Sequence, residues 1–174
     1  IDHDGSDIVG VNSNDDIFYK EFKVISRSTP ANDWGNGNTI YLDRHNVTCD
    51  DVGINSFKLT RPRTNQLAYQ YECLDGIGLP STGKTTGAND WGNGDTNYLD
   101  RHNVDCNGKP ISNFRLTRPN SNRLRYQYGC IDYLGSKQCR NLNTGWNEES
   151  NSTIYLDRHH VKCNKDEFLS QFRL

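Results

Sequence analysis

Hydrophobic and polar residues alternate in short runs along this chain, and the runs recur. Phe57, Leu59 and Arg61 share one phase against Lys58 and Thr60, and Tyr69, Tyr71 and Cys73 share another against Gln70 and Glu72. A period of two over such lengths predicts half-buried β-strands. Tyr41 to Cys49 reads the same way, with Tyr41, Asp43, His45, Val47 and Cys49 inward and Leu42, Arg44, Asn46 and Thr48 outward. Between the runs stand Gly, Asn and Pro, including Arg61-Pro62-Arg63 and Arg118-Pro119-Asn120. These residues favour tight turns, so the expectation is an all-β fold.

The strands come in three copies. Tyr-Leu-Asp-Arg-His occurs at 41, 98 and 155, and Asp43, Asp100 and Asp157 stand 57 residues apart, as do Cys49, Cys106 and Cys163. Trp34, Trp91 and Trp146 precede the phrase, and Phe57-Lys58-Leu59, Phe114-Arg115-Leu116 and Phe172-Arg173-Leu174 follow it. A repeat of this size is one folding unit used three times. Its copies span approximately 30–73, 87–130 and 142–174. The first two end in Tyr69-Gln70-Tyr71-Glu72-Cys73 and Tyr126-Gln127-Tyr128-Gly129-Cys130, while the third stops at Leu174. The run at approximately 17–25 has the pattern of the missing strand, so it is expected to complete the third unit and close a ring. The resulting prediction is a single pseudo-threefold domain over 1–174, prism-like with three sheets about a common axis, with the β-trefoil as the competing arrangement.

Composition narrows the setting. Only 33% of the 174 residues are hydrophobic, Asn is the commonest residue and Met is absent, which suits a turn-rich fold with a thin core. No apolar run is long enough to span a bilayer. The chain opens at Ile1 without a leader-like run, as a processed or partial sequence would. Six cysteines at regular spacing favour disulfides and an oxidising, extracellular setting. Cys49 with Cys73, Cys106 with Cys130 and Cys139 with Cys163 share a separation of 24, which suggests one bridge per unit, although six cysteines allow fifteen pairings. Sequons at Asn46 and Asn151 agree with secretion.

Three groups of residues offer chemistry. Asp43, His45, Asp100, His102, Asp157 and His159 resemble ligand or catalytic sets, but if they point inward they need partners, and Arg61 and Arg118 lie in the inward phase of the neighbouring strand. The expectation is therefore a structural Asp, His and Arg network, with no catalytic residue and no metal centre. Asp33-Trp34-Gly35-Asn36 and Asp90-Trp91-Gly92-Asn93 gather oxygens among glycines, as calcium loops and tight turns both do. With Trp146 they also form a candidate sugar platform. Arg44, Lys58, Arg101, Arg115, Arg158 and Arg173 fall in outward phases, two per copy, and make a candidate array for an anionic mineral, polymer or protein partner. The net charge of −2 and the lack of interleaved basic and aromatic residues argue against nucleic acid.

The cadence Leu-Asp-Arg-His-Asn-Val-x-Cys, Phe-x-Leu-x-Arg, Tyr-x-Tyr-x-Cys covers most of 32–174. It resembles tandem repeats of secreted proteins of simple animals, some of them associated with extracellular skeletal matrix. The resemblance implies a matrix role and assigns no catalytic residue. This chain departs from the pattern in its third copy, which lacks Tyr-x-Tyr-x-Cys, and in its extra Cys139. The functional expectation is a non-enzymatic extracellular scaffold that assembles with itself or a partner protein in a fibrous or mineralised matrix. The alternative is a lectin with three repeated sites.

Overall fold

The structure, a computed structural model, describes residues 8–11, 17–19, 22–50, 52–75, 78–132, 139–147 and 151–174. In chain order the strands are β1 (Ile8–Val11), β2 (Ile17–Tyr19), β3 (Lys23–Ser28), β4 (Asn32–Asp33), β5 (Asn46–Thr48), β6 (Ile54–Arg63) and β7 (Gln66–Asp75). They continue as β8 (Ser81–Thr85), β9 (Asn89–Asp90), β10 (Asn103–Asp105), β11 (Ile111–Asn120), β12 (Arg123–Ile131), β13 (His160–Lys162) and β14 (Gln171–Arg173). The fold is all-β, and the described sheets are antiparallel.

Two hairpins carry the architecture. In β6–β7 and β11–β12, Phe57 lies opposite Tyr71, Leu59 opposite Tyr69, Phe114 opposite Tyr128 and Leu116 opposite Tyr126. The alternation read from the sequence sets this register, since one face of each hairpin must be buried. Each hairpin has a register shift near its turn, between Thr60 and Arg63 and between Thr117 and Asn120. Pro62 and Pro119 fall within those shifts, where a residue with no N–H breaks no ladder bond.

Short strands tie the copies to one another. β5 of the first copy pairs with β11 of the second, β10 of the second with β14 of the third, and β13 of the third with β6 of the first. Phe57, Phe114 and Phe172 sit on β6, β11 and β14, one strand from each of these pairings. Their rings meet edge to face, with centroids 4.8 to 5.0 Å apart, a geometry that aromatic quadrupoles favour. Tyr69 and Tyr126 pack on the same cluster, so one core draws on all three copies.

Several expectations need correction. Residues 39–44 form a 3-10 turn, as do Thr96–Arg101 and Thr153–Arg158. The side chains of Asn38 and Asp95 accept from the amides of Ile40 and Asn97, starting the turn as helix caps do and overriding the strand-like pattern. Leu42, assigned outward, is therefore buried at 1% exposure, and strand alternation begins only at His45. The run 17–25 does not complete the third copy. β2 pairs with β1, β3 pairs with β7 in the first copy's sheet, and residues 20 and 21 lie outside the described residues. β8 holds the corresponding place beside β12. The run expected as one closing strand is divided between β2 and β3, and β3 forms the edge of the first copy's sheet, because an alternating run suits any open edge.

Candidate functional site

Each copy is built around a loop, a 3-10 turn and a short strand. Asp33 and Asp90 each accept the amide two residues on, from Gly35 at 2.6 Å and Gly92 at 2.7 Å, and Asn143 accepts from Gly145 at 2.8 Å. These are Asx turns, so one carboxylate oxygen of Asp33 and of Asp90 is engaged in turn formation. Asn36 and Asn93 take the left-handed conformation at φ 53° and 54°. A Cβ on Gly35 or Gly92 would stand 2.0 or 2.1 Å from the ring of Tyr41 or Tyr98, so the glycines seat those rings. The guanidinium carbons of Arg44, Arg101 and Arg158 lie 4.2, 4.0 and 4.3 Å from the ring centroids of Tyr41, Tyr98 and Tyr155. Cation–π contact thus holds an outward arginine in place in every copy. No group of three His, Cys, Asp or Glu side chains able to hold a metal is found among the described residues.

The Asp-Arg-His phrase is divided between two different tasks. His45 and His102 are buried at 1% exposure, and each Nδ1 is hydrogen-bonded to a threonine, Thr29 at 2.9 Å and Thr86 at 3.1 Å. Each threonine oxygen also accepts a backbone N–H from the hairpin, from Tyr69 and Tyr126. The hydroxyl proton is then free to be shared with a neutral imidazole, the direction of the Thr–His bond being set by the tautomer. Burial, with the charge of Arg44 or Arg101 adding to it, lowers the pKa of His45 and His102 and favours the same neutral form; for His102 a hydrogen bond to the Gly87 backbone partly opposes this. Each histidine meets a tyrosine edge to face, His45 with Tyr69 and His102 with Tyr126.

The aspartates do not join the histidines. Asp43 receives Arg118 at 2.9 Å and Asp157 receives Arg61 at 2.8 Å, so both ion pairs cross between copies. Arg61 and Arg118, expected inside, are exposed because each falls within a Pro-containing register shift that ends the inward alternation. The predicted network is thus split into an interior Thr–His–Tyr lock and a peripheral Asp–Arg clasp. The threonines were missed. Thr29 and Thr86 do stand 57 residues apart, but a threonine beside a turn residue reads as turn chemistry until the histidine opposite it is known.

The six candidate cations are paired differently from the sequence reading. Strand pairing sets Arg115 opposite Asn46, Arg173 opposite Asn103 and Lys58 opposite His160. Arg115 therefore neighbours Arg44, Arg173 neighbours Arg101 and Lys58 neighbours Arg158, each pair across a junction between copies. Arg115 donates to the Asp43 carbonyl at 3.0 Å and Arg173 to the Asp100 carbonyl at 2.5 Å. Trp34 and Trp91 pack partly buried against the core, with their amides bonded to Asn65 and Asn122 in the hairpin turns, but Trp146 is 97% exposed. The three tryptophans are therefore not equivalent platforms.

Disulfides link Cys49 to Cys73 and Cys106 to Cys130. The expected third bridge is not formed. Cys163 is buried and Cys139 exposed, both as free thiols, with Cys139 Sγ 3.9 Å from Ser170 Oγ. Cys139 takes the place that Ser81 has beside Ser112 in the second copy, which is an outer-strand position and not that of Cys73 or Cys130. Asn46 and Asn151 are both exposed. Comparison with protein-family models, with curated proteins and with solved structures finds no match to this chain.

Proposed function

We propose that this protein is a non-enzymatic extracellular scaffold that assembles with itself or a partner protein in a fibrous or mineralised matrix. The reading includes a pseudo-threefold, prism-like domain. Support for that arrangement comes from the cyclic pairing of β5, β10 and β13 with the strands of other copies and from the shared contact of Phe57, Phe114 and Phe172. Two disulfides fit an oxidising compartment, and the exposed sequons at Asn46 and Asn151 fit secretion.

The observation that carries the proposal is the recurrence of one surface feature at three junctions, an arginine stacked on tyrosine beside a second cation from the neighbouring copy. Held arginines lose little freedom on contact, and three weak sites on one rigid body act together. His45 and His102, by contrast, are occupied by threonine and tyrosine in the interior. Replacing Arg44, Arg101 and Arg158 with glutamine tests the reading against colloidal silica and a sulfated polysaccharide. The expected result is salt-sensitive binding by the unaltered protein and its loss in the triple variant. Unchanged binding by a folded variant overturns it. A glycan array with calcium and chelator arms is expected to be silent, and selective binding to one sugar class would favour the lectin instead.

A further inference from the structure

Three Asn-Gly pairs occur in the chain, Asn36-Gly37, Asn93-Gly94 and Asn107-Gly108. Such a pair readily loses its side-chain amide, because glycine has no side chain to hinder its own nitrogen from reaching the asparagine carbonyl carbon. By sequence the three are alike, but the fold separates them. Gly37 and Gly94 are buried, and their N–H groups donate to the carbonyls of Trp34 and Trp91 at 3.0 Å each. Each glycine is also wedged against another copy, since a Cβ on Gly37 would stand 2.0 Å from Ser152 Oγ and one on Gly94 2.2 Å from the Asn38 side chain. Turning either nitrogen towards its asparagine side chain therefore breaks a hydrogen bond and opens a junction between copies. Asn107-Gly108 lacks that hydrogen bond. Asn107 is exposed and Gly108 half-buried, and the Gly108 N–H has no acceptor among the described residues. Both take the left-handed conformation, at φ 54° and 78°, in a turn that Lys109 closes by donating to the Cys106 carbonyl at 3.1 Å.

The first copy shows what a carboxylate does at this place. Asp50 stands 57 residues before Asn107, also left-handed at φ 56°, in a turn of the same build. Val52 donates to the Cys49 carbonyl, and the Asp50 N–H donates to Thr48 Oγ1 as that of Asn107 does to Asp105 Oδ1. Arg27 on the edge strand β3 reaches this turn, with Nη1 3.1 Å from the Thr48 carbonyl oxygen and 2.9 Å from Asp50 Oδ2. Lys84 stands 57 residues after Arg27, on the matching edge strand β8. It makes the first of these contacts, with Nζ 3.5 Å from the Asp105 carbonyl oxygen. The place of the second is held by the neutral amide of Asn107, and Lys84 joins no ion pair among the described residues.

We propose that Asn107 is a site of spontaneous deamidation, and that the carboxylate formed there pairs with Lys84 and ties β8 to the turn as Arg27 ties β3. The Gly108 nitrogen attacks Cγ of Asn107. The new C–N bond closes a five-membered succinimide, the nitrogen gives up its proton, and the side-chain amide leaves as ammonia. Water then adds to one of the two ring carbonyls and the C–N bond at that carbon breaks. Addition at the side-chain carbonyl gives aspartate, and addition at the main-chain carbonyl gives isoaspartate. The net change is one amide and one water converted to one carboxylate and one ammonium ion, with no oxidant or reductant. The aspartate product reproduces the arrangement at Asp50. Of the cations near the turn, Lys109 is already held by Asp132 at 2.6 Å, whereas Lys84 waits beside the Asp105 carbonyl. None of this rests on the scaffold reading.

The test ages the folded protein in mildly alkaline buffer and maps its peptides by mass and isoaspartate content over time. Asn107 is expected to convert at least about tenfold faster than Asn36 or Asn93, whose glycines must first be released from the fold. In urea, with the disulfides kept, the three rates should converge. Conversion of Asn36 or Asn93 as fast as Asn107 in the folded protein would overturn the site, as would an Asn107 that stays intact when folded but converts in urea. Asn107→Asp supplies the aspartate product directly. Its new carboxyl, followed by NMR, should titrate at lower pH than in the double variant that adds Lys84→Gln. The β8 amides should exchange between about 1.5-fold and fivefold more slowly in Asn107→Asp than in the unaltered protein, the range that an exposed ion pair gives. A carboxyl whose titration ignores Lys84→Gln would overturn the pairing.

Discussion

Mild acid is predicted to destabilise this protein through its histidines. His45 and His102 carry depressed pKa values because burial penalises the imidazolium; at His45 the charge of Arg44 adds to this and Asp43 opposes it, and at His102 the Gly87 backbone and Asp100 oppose it, with Arg101 adding a smaller depression. In the unfolded chain each takes up its proton near the ordinary value of about 6.5. Below that pH the unfolded state binds more protons than the folded one, so the free energy of unfolding falls as pH falls towards the folded values. His160 shifts in the same direction, chiefly through burial. Glu72 and Glu167 are held below their ordinary 4.5, chiefly by hydrogen bonds from Ser56 and Arg140, so their contribution is lost only at lower pH. The interval from about 6.5 down to about 4.5 therefore belongs to histidine. Each buried histidine adds a slope of at most about 1.4 kcal/mol per pH unit, about 2.7 for the pair, and screening by nearby solvent brings the realised value below that ceiling. Against a typical total stability of about 5–15 kcal/mol, such a slope is measurable. The assay is urea unfolding followed by tryptophan fluorescence at several pH values across the interval, for the protein and for His102→Asn. The variant starts less stable because it loses the Thr86 bond, but its slope should drop by one histidine's share. A stability that stays flat across the interval, or a His102→Asn slope equal to that of the unaltered protein, would refute the reasoning.

Two further predictions concern packing and covalent restraint. Phe114→Ala should cost about 3–5 kcal/mol in denaturant unfolding, because its ring meets Phe57, Phe172, Tyr69 and Tyr126. Phe57→Ala should cost less, since Phe57 borders a groove where neighbours can relax into the space, and the reverse order would contradict this account of the core. Replacing Cys49 and Cys73 together with serine opens a loop with a sequence separation of 24, worth about 3.5 kcal/mol in the chain-entropy model. The Cys106 and Cys130 pair has the same separation and should cost the same in thermal unfolding; a clearly smaller cost in either would mean that the β6–β7 or β11–β12 ladder alone restrains that copy.

The sequence by itself determined whatever depends on neighbours along the chain. Alternation around Phe57, Leu59, Tyr69 and Tyr71 revealed strands and their buried faces, because side chains on a pleated strand point up and down by geometry alone. Repetition defined the unit, and equal spacing picked out the two disulfides that form, together with a third, Cys139 to Cys163, that does not. Only the tertiary structure could decide what meets across the chain. Nothing local says that Asp43 clasps Arg118 of the next copy and not Arg61 of its own, that Thr29 holds His45, or that β3 lies beside β7. These contacts join residues far apart in sequence, and the same side chains would have satisfied other partners with equal chemistry. The 3-10 turn at 39–44 lies between the two cases. Its Asn38 cap is visible in the sequence, but a polar residue ahead of an alternating run starts a turn or a strand according to whether Leu42 has a core to enter.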